Sequence, residues 1–148
     1  MAQYKIAWMP GDGVGNDVMD AAKIVLDAMN FDAEYVPADI GWEFWCTEGN
    51  PLPQRTLDLI EEHKIGLFGA ITSKPKDEAF EELAPELQKK GLVYSSPIVG
   101  LRQHFGLDIC FRPCRTYTGN PLNFIRRGAN DTIEEPEVDV AIFRQNTE

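Results

Sequence analysis

The sequence predicts an α/β protein built on a largely parallel sheet, and three observations carry that expectation. Short apolar runs alternate with helical patterns along the first hundred residues; the first run passes through a glycine-rich turn straight into a helical pattern; and no internal repeat or low-complexity tract interrupts the alternation. Parallel strands need crossover connections, and helical crossovers cover both faces of the sheet they serve.

The elements follow in order. Tyr4 to Met9 is an apolar run of strand length, ended by Pro10 and the turn Gly11-Asp12-Gly13-Val14-Gly15. Asn16 is a capping residue type, and Val18, Ala21, Ala22, Val25 and Met29 recur at helical spacing, so a helix is expected from Asp17 to Met29. Glu34 to Ala38 reads as a second short strand, Pro53 to His63 as a helix entered through the turn residues of GNPLP, and Ile65 to Ala70 as an apolar strand. After the charged segment Lys74 to Lys90, Ser95 or Ser96 can cap a helix that carries Ile98, Leu101, Arg102 and Phe105, followed by a strand from Asp108 to Phe111. Residues 113–136 are rich in Pro, Gly and Asn and lack periodicity, which points to a passage between domains or an extended arm. Val138 to Phe143 reads as a further buried strand, five residues from the end. A core strand so placed has nothing to cover it, so a truncated polypeptide or a piece that needs a partner is expected.

Composition narrows the function classes. A chain of 148 residues, 43% hydrophobic, is long enough for one domain with an ordinary core. Its formal net charge of -10 opposes binding to nucleic acid, which relies on neutralising phosphates. No apolar run reaches membrane-span length, and the polar start lacks a signal-peptide pattern, so the expected compartment is the cytoplasm, or a mitochondrial matrix after loss of a transit peptide. Cys46, Cys110 and Cys114 match neither a disulfide framework nor a four-ligand zinc site and are read as reduced core or near-core thiols. All seven lysines precede residue 91, whereas six of the seven arginines follow residue 100. Arginine's rigid fork suits bidentate carboxylate recognition, so the second part of the chain is where a small anionic ligand would be held.

The motifs sharpen this. Gly11-Asp12-Gly13-Val14-Gly15 between strand and helix invites a dinucleotide-binding reading, but GxGxxG requires glycine where Asn16 stands. A tight turn whose glycines supply positive φ accounts for it equally. Arg102 falls on a helix face, Arg112 lies ten residues on at the end of the strand Asp108 to Phe111, and Arg144 ends the strand Val138 to Phe143. Buried charges need partners. Protein ion pairs explain any one of them; three together could converge on a di- or tricarboxylate.

At this point a resemblance becomes specific. The opening glycine turn, Ala70-Ile71-Thr72-Ser73-Lys74-Pro75, Leu101-Arg102-Gln103 with Leu107 to Pro113 ending in Phe-Arg-Pro, and Phe143-Arg144-Gln145-Asn146-Thr147-Glu148 occur in the order and spacing of the isocitrate/isopropylmalate dehydrogenase family. The chain resembles about the first 40% of a typical member. The resemblance implies an incomplete isocitrate/isopropylmalate dehydrogenase-like fold: residues 1–112 as the N-terminal part of a large parallel-sheet domain, and residues 113–148 as the crossover and first strand of a small domain. It implies that Arg102, Arg112 and Arg144 grip the carboxylates of a substituted malate and that Ser96 contacts a distal carboxylate. Val14, Thr72 and Ser73 would lie on the nicotinamide side, and the opening glycines would not cradle a pyrophosphate.

The activity so implied is oxidative decarboxylation of a 3-substituted malate, with isocitrate and NAD as the leading expectation and NADP possible as the cofactor. Isopropylmalate or homoisocitrate is the alternative substrate, and a split or degenerate non-catalytic subunit the alternative role. Mg or Mn would be held by ligands beyond Glu148, as would the catalytic groups, so no catalytic or metal-binding residue is expected in this chain, and the chain alone is expected to be inactive. The full-length protein is expected to form a homo-oligomer, a dimer. Two departures bear on specificity, Ile98 where isocitrate enzymes have asparagine and Ser95 where isopropylmalate enzymes have glutamate; two others, Gln145 beside Arg144 where glutamate is usual and Gly106 where aspartate is usual, bear on local ion pairs. Asp12, Asp17 and Asp20 are expected to be solvated or to serve the helix dipole.

Overall fold

A computed structural model describes residues 2–146. The chain divides into two compact units, residues 1–101 and 102–148.

The first unit is built on β1 (Tyr4–Gly11), α1 (Val14–Ala28), β2 (Ala33–Pro37), α2 (Trp42–Glu48), α3 (Gln54–His63), β3 (Gly66–Ala70), α4 (Lys76–Glu81) and α5 (Pro85–Gln88), and α6 (Pro97–Phe105) leads out of it. The strands form a parallel sheet in the order β2-β1-β3, with Ile6 opposite Tyr35 and Gly11 opposite Ala70. Adjacent residues of a strand point to opposite faces, so the burial of both Ile6 and Ala7 means that both faces of β1 are covered. Two glycines of β3 show by what. A Cβ on Gly69 would lie 2.8 Å from Met19 of α1, whereas one on Gly66 would meet Met9 and, at 3.9 Å, Ile60 of α3. Positions 66 and 69 face opposite ways, so α1 and α3 lie on opposite faces of the sheet.

Helix α1 differs from the expectation in start and in face. It begins at Val14 with Gly13 as its cap residue, and Asn16 lies inside it, because Gly13 at φ 54° turns the chain into the helix three residues early. Its packed side is Gly15 and Met19, while Val18, Val25 and Met29 are 48%, 58% and 67% exposed. The helix therefore seats itself on the sheet by its smallest residue and turns its branched residues outward.

The charged stretch from Lys74 to Lys90 is also more ordered than its composition suggests. Ala79, Leu83 and Leu87 recur every fourth residue and bury against Trp45 and Tyr94, with Trp42, Cys46, Ala84 and Leu92 packed around them. Trp45 Nε1 donates to the Ala79 carbonyl at 2.7 Å, which satisfies the one polar atom this aromatic brings inside.

In the second unit, β4 (Ile109–Arg115) and β7 (Asp139–Gln145) form an antiparallel ribbon, and β5 (Arg126–Arg127) pairs with β6 (Ile133–Glu134) around a single 3-10 turn, Ala129–Asp131. The last strands are therefore not part of the parallel sheet, and the stretch 113–136 contains the end of β4 and a small hairpin. Pairing carries β4 on through Pro113, opposite Ala141, so Arg112 is mid-strand rather than at a strand end. The ribbon is not buried: the Phe111 and Phe143 rings meet at a tilt, 5.2 Å between centroids, yet stay 57% and 69% exposed.

Candidate functional site

The chain runs from β1 outward to β2 on one side and returns past β1 to β3 on the other, with α1 and α3 on opposite faces of the sheet. Where strand order reverses in this way, a crevice opens outside the carboxyl ends of the strands, and ligands of open α/β sheets bind there. The carboxyl ends of β1 and β3 meet at Gly11 and Ala70. Val14, Thr72 and Ser73, read as nicotinamide-side residues, all lie at that end of the sheet.

The opening glycines serve close packing of backbone on backbone. A side chain on Gly11 would collide with the Ala70 carbonyl, and one on Gly15 with the carbonyls of Pro10 and Ala70. This brings the start of α1 down onto the ends of β1 and β3 and leaves Val14 exposed beside the crevice. A Cβ on Gly13 would lie 3.7 Å from Thr72 Oγ1, which places the half-buried Thr72 hydroxyl directly over the turn.

Residues 71–75 carry no regular structure, yet three in a row are fastened. The Thr72 amide donates to Asp12 Oδ1 at 2.6 Å. The Ser73 hydroxyl bonds Tyr94, whose phenol burial pushes up in pKa, with that bond opposing and the Asp12 charge adding to the rise. Lys74 pairs with Glu82 and lies over the Trp42 ring, and Trp42 Nε1 also donates to Glu82 at 2.6 Å. The hydrogen bonds from Lys74 and then Trp42 hold the Glu82 carboxyl below its ordinary value. Asp12 is thus not a solvated helix-start carboxylate. Its other oxygen accepts from the Trp42 amide at 2.6 Å, so the side chain is turned inward by two charge-assisted bonds.

In the second unit the register decides where the arginines point. Arg144 lies opposite Cys110 and Arg112 opposite Ile142. Directly opposed residues share a face, as do residues two apart on one strand, so Cys110, Arg112, Ile142 and Arg144 lie on one face, with Phe111 and Phe143 on the other. Arg112 and Arg144 are diagonal neighbours there, and Arg112 Nε donates to Cys110 Sγ at 3.3 Å. Both arginines are exposed, so the expectation that they terminate buried strands is corrected: among the described residues neither strand is buried. Arg102 is half-buried in the last turn of α6, and its carbonyl accepts from the Leu107 amide at 2.8 Å. Ile98 precedes it by one helical turn on the same face of α6. Ser96 stands immediately before α6, where its carbonyl accepts from Gly100 at 3.1 Å and Pro97 occupies the first helical position. Thr147 and Glu148 of the closing motif lie outside the described residues.

Comparison with known proteins fits this arrangement. The profile of the isocitrate/isopropylmalate dehydrogenase family matches residues 5–148. The chain belongs to that family. Protein DlpA of Legionella pneumophila is 43% identical over 122 residues, which are 81% of this chain and 20% of that protein. The 3-isopropylmalate dehydrogenase of Methanothermobacter thermautotrophicus is 32% identical over 148 residues, 100% of this chain and 36% of that enzyme. Among solved structures, isocitrate dehydrogenase from Methylococcus capsulatus superposes with a TM-score of 0.70 at 28% identity, over 99% of this chain and 35% of that one. A β-decarboxylating dehydrogenase from Thermococcus kodakarensis shares the fold at 24% identity, with a TM-score of 0.59. The chain spans between a fifth and just over a third of the length of these curated relatives.

Two features of the unit-one surface escape a reading by motif. Asp12 joins residues 30 and 60 positions away, which no local pattern reveals. Arg55 grips Glu48 with two nitrogens at 2.8 and 2.6 Å and Asp39 with Nε at 2.6 Å, fixing the α2–α3 connection. Among the described residues no cluster of three or more His, Cys, Asp or Glu side chains has metal-site geometry, and no helix is long and apolar enough to cross a membrane.

Proposed function

We propose that this chain supplies the carboxylate-gripping and nicotinamide-side parts of an enzyme that oxidatively decarboxylates a 3-substituted malate. The observation that carries the reading is the placement of Arg112 and Arg144 on one face of the β4–β7 ribbon as diagonal neighbours. Two planar forks at that spacing can each take a carboxylate in bidentate fashion, and Arg102 at the end of α6 is assigned a third contact. Holding the acid by its carboxylates presents its hydroxyl carbon in one orientation and keeps the departing carboxylate from rotating, a positioning and electrostatic role.

NAD, or NADP, is assigned to the crevice at the ends of β1 and β3, where Thr72 offers a hydroxyl donor over the Gly13 turn and Val14 an apolar surface suited to a ring. A cofactor held there by Thr72 and Val14 would supply a hydride acceptor, and a divalent metal would supply Lewis acidity. Ligands for that metal and the proton-transfer groups are assigned outside these 148 residues, with residues 1–112 assigned to the large domain and residues 113–148 to the small domain of a homodimeric enzyme.

Isocitrate is the leading substrate, with Ser96 assigned to its distal carboxylate. Isopropylmalate is a second reading with its own support: Ile98 puts an apolar side chain one turn from Arg102, and the relative from Methanothermobacter thermautotrophicus is named for that substrate. Steady-state assay of the complete gene product with isocitrate, homoisocitrate and isopropylmalate, each with NAD and NADP, decides between them. Metal-dependent reduction of the cofactor by at least one acid is expected; absence of turnover with all three would overturn the proposal.

A further inference from the structure

We infer that Asp12 is a positioning residue that sets the nicotinamide-side threonine, an inference that rests on the reading of Thr72 given above. The Asp12 carboxylate is divided between two amides that belong to different parts of the first unit. Oδ2 accepts from Trp42 at the start of α2, and Oδ1 accepts from Thr72 just beyond β3, both at 2.6 Å. The backbone is built to admit it. Gly41, which precedes Trp42, has φ 122°, and a Cβ there would stand 2.5 Å from Asp12 Oδ2. The Asp12 amide itself donates to the Ala70 carbonyl at 3.0 Å, so the residue is fixed on the end of β3 before its side chain reaches out.

The geometry makes Asp12 a latch across the ligand-binding end of the sheet. One short side chain ties the turn after β1 to the strap after β3 and to α2, whose Trp42 ring and Glu82 partner hold the same strap through Lys74. Thr72 is pinned by its own amide, one bond from the carbon that bears its hydroxyl arm, and that hydroxyl sits over Gly13. Releasing the amide frees the hydroxyl to leave the crevice while the core beneath the sheet stays packed. Each oxygen accepts from an amide of the first unit, and it is through the Thr72 amide that Asp12 acts on the crevice.

The test uses the complete gene product and two independent readouts. In the wild type, amide hydrogen exchange at Thr72 and Trp42 is expected to be slow and to respond together; Asp12→Ala is expected to speed both by about tenfold or more, with the β1 amides unchanged. Asp12→Asn keeps the size but turns an NH2 donor toward one of the two amides, and should raise KM for the nicotinamide cofactor about tenfold while KM for the hydroxy acid is unchanged. Unaltered Thr72 exchange in Asp12→Ala, or an Asp12→Asn enzyme that loses kcat with both KM values intact, would overturn the latch. If Asp12→Ala does not fold, Asp12→Asn decides through the same exchange measurement. Loss of the function reading looks different: a wild-type protein that oxidises none of the acids, with its Thr72 and Trp42 amides still protected.

Discussion

Arg112 shows what a single residue contributes to the proposed clamp. It is exposed and bonded to Cys110 Sγ, so replacing it removes no buried ion pair and should leave the ribbon folded. A hydrogen bond to a charged group is worth about 1.5–3 kcal/mol, so Arg112→Ala should lower kcat/KM for the hydroxy acid by about tenfold to a hundredfold. Arg112→Lys should recover part of that, since lysine keeps the charge and loses the fork. Unchanged kcat/KM in Arg112→Ala, measured beside an unchanged melting temperature, would remove Arg112 from the site. Arg55 makes a contrasting case, because its partners are structural. The hydrogen bond from Arg55 holds the Glu48 carboxyl below its ordinary value. A depressed carboxyl contributes stability above its unfolded pKa and loses it as pH falls through the folded one. The melting-temperature gap between wild type and Arg55→Ala should therefore be present at neutral pH and close as the solution is taken below the ordinary glutamate range. A gap that widened on acidification would contradict the assignment.

At the scale of elements, α1 has two apolar sides and only one is packed. Met19 is buried under the sheet, so Met19→Ala should cost about 2–5 kcal/mol in urea denaturation, whereas Val25→Ala on the open side should stay within about 0.5 kcal/mol. Near-equal losses would mean that the outward residues are covered after all. This helix also marks where the sequence was legible. Its existence follows from period, and β1, β2, β3, α3 and α6 follow from runs and turns, because those signals are local. Its rotation does not, since Val18, Val25 and Met29 score as well for a buried face as Met19 does; the choice is made by how closely Gly15 lets the backbone approach Ala70, a contact 55 positions away. The short helices α2, α4 and α5 were hidden for a related reason. Each is too brief for period to stand out, and they are held by packing of Trp45 against Ala79, Leu83 and Leu87 across the charged segment. For the candidate site the arginines were readable as residue types, while their common face came only from the β4–β7 register, and Asp12 came only from the folded contacts.

At the scale of the molecule the charge is divided as sharply as the fold. Residues 1–101 carry eight lysines and arginines against seventeen acidic residues, whereas residues 102–148 carry six arginines against seven acidic residues. The net charge of -10 on these 148 residues opposes approach of a di- or tricarboxylate, yet a small anion meets the local field of the ribbon once it is within a Debye length of Arg112 and Arg144. These two contributions respond oppositely to salt. Screening of the acidic residues of this chain would raise kcat/KM, and screening of the arginine face would lower it. At about 0.01 M ionic strength the Debye length is about 30 Å and both act; near 0.15 M it is about 8 Å and only the nearest charges remain. If the arginine face captures the substrate, kcat/KM for the complete gene product should fall as salt rises across that range, and the slope should flatten in Arg144→Ala. A rate that climbs with salt in wild type and variant alike would show that the acidic first unit governs approach, and that the ribbon acts only after the acid has arrived.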